Sequence, residues 1–179
     1  ELSGLKHAKS ALGKAKRRLT TLLDFIPYAF VVYDNDGKVF YLNPAFTETF
    51  GWTLEELEGR FIPFIPQDLK GDTARYSNEL YKDGKPQRHE TRRLTKDGRI
   101  LDVTIRAVAY PASERDTPGS IAIIRDITEE CRLERTNETI RRISTALPEY
   151  SELAGFGSYV APEMMALTEA EGSVVLLLD

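Results

Sequence analysis

Leu101, Val103, Ile105, Ala107 and Ala109 alternate with Asp102, Thr104, Arg106 and Val108, and this period of two predicts a strand with one buried face. A helix would scatter the same five residues around its circumference. Lys96-Asp97-Gly98 precedes the segment as a turn signal, and Lys82-Asp83-Gly84 opens a polar strand from Gln87 to Thr95. Across the polar loop Ser113 to Gly119, Ile121 to Ile127 reads as a last strand, apolar enough to lie centrally in a sheet. Nearer the N-terminus, Ala29 to Tyr33 and Lys38 to Asn43 flank Asn35-Asp36-Gly37, residues that tolerate positive φ in a tight hairpin. Asn43 to Gly71 is interrupted by Pro44, Gly51, Gly59, Pro63 and Pro66, so only short helices fit there. Asp72 to Lys82 follows as a helix with Tyr76 and Leu80 on one face. The expected fold is α+β, a five-stranded antiparallel sheet with short helices on one face.

Long helices flank this core. Over residues 2–26, Leu5, Leu12, Leu19 and Ile26 recur every seventh position with Ala8, Ala15 and Leu22 between them, until Pro27 ends the helix. After the last strand, Leu133, Ile140 and Leu147 repeat the spacing, with Thr136 and Ile143 between them, and Pro148 interrupts it. Each stripe reads either as the seam of a parallel homodimer or as a face laid on its own domain. Tyr150 to Leu167 reads as a further helix, and Ser173 to Leu178 as a buried strand that must pair with an earlier edge, another chain or residues beyond this sequence. The expected division is a helix at 1–26, a core domain at 27–128, a connecting helix at 129–147 and part of a second domain at 148–179.

Charge narrows the partners. The chain has 24 Lys and Arg against 28 Asp and Glu, a net charge of −4, and no nucleic-acid partner is expected. Residues 1–20 hold six of the basic residues and one Glu, which suits anionic lipid, an acidic partner or simply a solvated helix face. A single cysteine excludes an intrachain disulfide framework. No apolar run approaches the ~20 residues of a membrane span and no signal-peptide pattern opens the chain, so a cytoplasmic location is expected, with the parent protein free to be anchored elsewhere. The absence of an initial Met reads as an excised or processed end.

Enzyme signatures are missing. There is no Gly-x-Ser-x-Gly, no Gly-x-x-x-x-Gly-Lys loop, and Gly155-Phe156-Gly157 lacks the preceding strand of a dinucleotide site. Asp34 and Asp36 lack the further acidic positions of a calcium loop. His7, His89 and Cys131 are not spaced as metal ligands, and no metal is expected. His89, beside Glu90, reads as an exposed strand residue, and Cys131 as a structural thiol.

Several short motifs agree in their order: Asp34-Asn35-Asp36-Gly37, Tyr41-Leu42-Asn43-Pro44-Ala45-Phe46, Phe50-Gly51-Trp52, Glu55-Glu56-Leu57-Glu58-Gly59, Glu90-Thr91-Arg92, Lys96-Asp97-Gly98 and Asp126-Ile127-Thr128. Over roughly residues 22 to 128 the chain resembles a PAS domain, a ligand- or cofactor-binding sensor module. The resemblance implies a cavity between the sheet and the short helices. Strand alternation lines it with Phe30, Val32, Tyr41, Val103, Ile105, Ile121 and Ile123, and the helices close it with Phe46, Phe50, Phe61, Tyr76 and Leu80. The rival reading has these side chains filling the core outright. Asn43 is expected to brace the turn into the helix at Pro44 as its N-cap, with ligand contact as the alternative.

The cofactor stays unassigned. A flavin-reactive Cys is absent from Gly59 to Phe64 and a haem-ligating His from Ala74 to Lys82, so cysteinyl-flavin and haem are not expected, while a small-molecule ligand is allowed. Asp126, Ile127 and Thr128 would couple the sheet to the exit helix, with Arg92 or Arg93 holding Asp126 by family analogy and Thr128 capping the helix. Residues 148–179 resemble the start of a GAF domain. The function these resemblances imply is a sensor and dimerisation module of a bacterial signal-transduction protein, a histidine kinase whose output domain lies elsewhere in the same parent chain. The alternative is a ligand-free dimerisation and protein-interaction scaffold.

Overall fold

The alternating segment forms β4 (Ile100–Tyr110), which pairs antiparallel with β3 (Gln87–Leu94) on one side and β5 (Gly119–Asp126) on the other. The computed structural model describes residues 2–110, 118–146 and 160–162. Two compact units divide the chain, Glu1–Ile127 and Thr128–Asp179. The expected GAF-like segment lies outside the described residues except at 160–162, which are helical. Leu147 lies outside them as well.

In the first unit, α1 (Leu2–Asp24) leads to β1 (Ala29–Asp34) and β2 (Val39–Leu42). The hairpin between them is made by Asp34, whose Oδ1 accepts the N–H groups of Asp36 and Lys38, both at 2.9 Å, while Gly37 takes φ 81°. The short helices α2 (Pro44–Phe50) and α3 (Leu54–Leu57) follow, then a single 3-10 turn (Gln67–Leu69) and α4 (Lys70–Asp83). The sheet order is β2-β1-β5-β4-β3, with every pairing antiparallel. This is the five-stranded α+β architecture that the alternation and turn signals predict.

Registers decide which face is inside. Ile105 lies opposite His89 on β3 and Ile124 on β5, and Ile124 lies opposite Ala29 on β1. Cross-strand partners share a face, so Ala29, Val31 and Tyr33 point inward together with Ser120, Ala122 and Ile124. The expected inward set of Phe30, Val32, Ile121 and Ile123 is therefore wrong by one residue: these side chains occupy the outer face. Both strands are apolar on both faces, and a one-residue slip in assignment exchanges the whole set. Phe30 is still buried, packed edge-on against Tyr41 with ring centroids 6.4 Å apart. Tyr41 is likewise on the outer face, where its Oη donates to Asp24 Oδ1 at 2.6 Å.

The core beneath the inner face is aromatic. Phe46 and Phe50 are both fully buried, with centroids 4.9 Å apart, and Phe64 meets Phe50 edge-on at 5.7 Å. Phe64 belongs to residues 58–66, which run as a strap across the inner face. At one end Val39 donates to Arg60 O and Gly59 to Val39 O, at 2.9 and 2.8 Å; at the other, Leu94 donates to Phe64 O at 2.8 Å. Val39 is on β2 and Leu94 on β3, so the strap is tied to both edge strands of the sheet.

Asn43 joins the layers from its N-cap position on α2. Its Oδ1 accepts from Phe30 N at 2.9 Å and Phe46 N at 3.0 Å, while its Nδ2 donates to Leu23 O, Ile26 O and Tyr28 O at 3.3, 3.1 and 3.0 Å. One side-chain amide thereby fastens the end of α1, the start of β1 and the first turn of α2.

In the second unit, α5 (Thr128–Ala146) carries Glu138–Arg141 as a two-bond pair, Nε at 3.0 Å and Nη2 at 2.9 Å, on its surface. Leu133 and Ile140 are exposed, while Cys131 is half-buried.

Candidate functional site

A cavity of about 370 Å³ lies between the inner face of the sheet and the layer made by the strap and α4. Its size falls in the range of small-molecule sites. Ile105, Ala107, Ala122 and Ile124 form its floor; Ile62 and Phe64 from the strap, with Tyr76 and Leu80 from α4, face them. α4 presents Tyr76 and Leu80 on one side because residues four apart stack along a helix.

Within this apolar wall sits Arg93, at 2% exposure. Its Nη1 donates to Thr91 Oγ1 at 3.2 Å and Arg92 O at 2.8 Å, its Nη2 to Thr73 Oγ1 at 3.3 Å, and its guanidinium carbon stands 5.2 Å from the centroid of the Phe64 ring. The Nε atom has no partner among the described residues. Burial pulls its pKa down, yet an arginine starts so high that it keeps its charge.

His89 enters the same cavity, its ring stacked on Tyr76 and its Nδ1 buried without a partner among the described residues. Burial, and secondarily the Arg93 charge, hold its pKa below the usual imidazole value, so it is neutral at pH 7. Tyr33 also lines the cavity, and burial pushes its phenol well above the ordinary range although Arg93 pulls the other way. Tyr81 donates to Ser120 Oγ at 3.1 Å, a link from α4 to β5.

Of the residues expected around a cavity, Phe61, Tyr76, Leu80 and Ile105 line this one. Phe46, Phe50 and Val103 do not; they are packed solid in the core. Asn43 is a brace, committed on both ends of its amide to backbone groups. His89, expected to be exposed, is turned inward, and Arg93 faces the cavity instead of the strand end. The signal for both lay in register: His89 pairs with Ile105 and Arg93 with Leu101, and both of those partners are inward.

The junction differs from its expected form. Asp126 is exposed, so its carboxylate carries no burial cost that a cation would have to offset. Arg92, one expected partner, instead donates to Asp68 at 2.7 Å, and Arg93 makes the contacts given above. The β4–β5 ladder nevertheless runs one step past Asp126, with Ile127 N donating to Asp102 O at 2.9 Å.

The arrangement is suited to holding a ligand. Among the described residues, no three His, Cys, Asp or Glu side chains form a metal-holding group, and no described helix is long and apolar enough to cross a membrane.

A model of the PAS fold matches residues 23–132, the stretch that contains the sheet, the strap and the cavity. The chain belongs to the PAS family. Over 137 residues this PAS protein is 30% identical to the virulence sensor protein BvgS of Bordetella bronchiseptica, a match covering 73% of the chain and 11% of that relative. It is 26% identical over 162 residues to the C4-dicarboxylate transport sensor protein DctS of Rhodobacter capsulatus, covering 80% and 25%. The match thus spans between about a tenth and a quarter of the length of these relatives. In fold it is similar to the PAS domain of an HTR-like protein from Haloarcula marismortui, with a TM-score of 0.58 and 22% identity over 68% of this chain and 99% of that one.

Proposed function

We propose that this PAS domain is the sensor and dimerisation module of a cytoplasmic region in a bacterial signal-transduction protein, a histidine kinase whose output domain lies elsewhere in the parent chain. The observation that carries the reading is the exposure of apolar heptad positions on both flanking helices, with Leu12 and Leu19 open on α1 and Leu133 and Ile140 open on α5. Such stripes are the material of a homodimer seam. The seam would include Leu5, Ile26 and Leu147 by sequence spacing. Two sensor proteins among the relatives support the same role.

In this reading the domain extends over residues 27–128 and α5 is the signalling helix. Cavity occupancy is passed along β4 and β5 to Asp126, Ile127 and Thr128, because the Ile127–Asp102 hydrogen bond ties the last residue of the ladder to a strand that forms the cavity floor. The test is made in the parent protein. Leu80→Trp, which fills the cavity, and Asp126→Asn, at the junction, should each change basal or stimulated autophosphorylation. Output identical to wild type in both variants and both states would reduce the domain to a scaffold.

A further inference from the structure

Arg93 is a cation placed where water hardly reaches and where, among the described residues, no carboxylate answers it. Its contacts are two threonine hydroxyls, one carbonyl and the face of Phe64, all neutral. A buried charge is unfavourable unless it is paired. Asp36, the carboxylate that lines the cavity, has a largely exposed side chain and stands 4.0 Å from Lys38. Lys70 lines the cavity too, but from an exposed position. With His89 neutral, the cavity wall carries one buried positive charge, and its Nε has no acceptor among the described residues.

The remaining wall limits what can answer that charge. It is mostly apolar and the space is about 370 Å³. A phosphate dianion would need a second deep cation or a cluster of backbone N–H groups, and Lys70 at the exposed rim does not supply the first. Deepening the sensor reading above, on which this inference rests, we propose that the cavity binds a small monocarboxylate with a compact apolar body. The carboxylate accepts the Arg93 Nε–H; the body lies among Ile62, Phe64, Leu80, Ile105 and Ile124. The free Nδ1 of His89 supplies a second polar point for a hydroxyl or carbonyl on the ligand.

Titration calorimetry on the whole 179-residue chain tests this. The probes are benzoate, phenylacetate and hexanoate, each beside its neutral amide, with inorganic phosphate as a further arm. At least one acid should bind saturably, and at least about ten-fold more tightly than its amide. Arg93→Met should abolish that preference and Arg93→Lys should keep part of it. If Arg93→Met does not fold, Leu80→Trp serves instead: it retains the cation, fills the space and should lose all binding. Wild-type protein that binds no acid, binds acid and amide equally, or prefers phosphate overturns the proposal. Binding of the amides alone would overturn the anion assignment and leave the sensor reading standing. Unchanged kinase output in the parent carrying both Leu80→Trp and Asp126→Asn would remove the sensor reading whatever the calorimetry gives.

Discussion

The imidazole of His89 lies flat against the phenol of Tyr76, with ring centroids 4.1 Å apart and planes 3° from parallel. This stack joins β3 to α4 in the wall of the cavity, and it fixes a titratable ring where protonation is unfavourable. Arg93 on the same strand adds like charge, and Lys70 on α4 lines the same cavity.

The pH dependence follows from the sign of that shift. His89 has its folded pKa below the unfolded value of about 6.5. As pH falls through that unfolded value, the unfolded chain takes up a proton that the folded chain refuses, so stability falls, and the loss levels off once pH passes below the folded pKa. Urea midpoints measured from pH 8 down to about pH 5 should therefore drop more steeply for wild type than for His89→Gln. Parallel profiles would mean that the ring is not held neutral by its site.

Asn43 is fully buried and satisfies five backbone groups. Asn43→Ala removes all five bonds, leaving Phe46 N and Leu23 O only their backbone bonds to Asn43 O and from Ile26 N, and should lower unfolding free energy by about 2–4 kcal/mol. Asn43→Asp keeps the size and can still accept from Phe30 and Phe46, but it turns a carboxylate toward the carbonyls of Leu23, Ile26 and Tyr28. Chemical denaturation should place it at least as low as the alanine variant. A near-wild-type Asn43→Asp would show that the Nδ2 bonds contribute little.

Gly119 pairs with Tyr110 on β4 and with Asp34 on β1. A Cβ at this position would fall far inside van der Waals contact of Tyr33 O and Tyr110 Oη. The first is backbone in the neighbouring strand, so moving Tyr110 aside relieves half of the clash. Gly119→Ala should destabilise by about 1–3 kcal/mol. A melting temperature equal to wild type would show that the β1–β5–β4 spacing opens freely.

On α1, Leu12 is 71% exposed and Leu19 58% exposed in the single chain. If they form a dimer seam, Leu12→Glu with Leu19→Glu should give a folded monomer by sedimentation, because two charges replace packed apolar side chains. A variant dimer of wild-type strength would move the interface elsewhere.

The strand positions and the turns were legible because each rests on local chemistry. β4 announces its buried face through alternation, and Asp34 and Gly37 announce their hairpin. Faces of β1 and β5 were not legible, since Phe30 and Val32 are as apolar as Ala29 and Val31, and Ile121 and Ile123 as apolar as Ala122 and Ile124. Only pairing to Ile105 separates them. The cavity suffered most, because polar side chains on a polar strand are assigned outward by default. His89 and Arg93 point inward on account of partners sixteen and eight residues further along the hairpin, Ile105 and Leu101, and not on account of their own chemistry. Asn43 was readable as a cap from Asn-Pro, whereas its grip on α1 depends on a tertiary approach no local motif records.

The residue that follows Asn43 is proline, and this bears on how the protein ages. Asparagine loses ammonia when the backbone nitrogen of the next residue attacks the side-chain carbonyl and closes a succinimide ring. Pro44 has no N–H to surrender, so this route is closed at the one amide on which α1, β1 and α2 all hang. Slow deamidation will therefore register first at asparagines such as Asn35, exposed in its turn, and the joint between helix and sheet will outlast them.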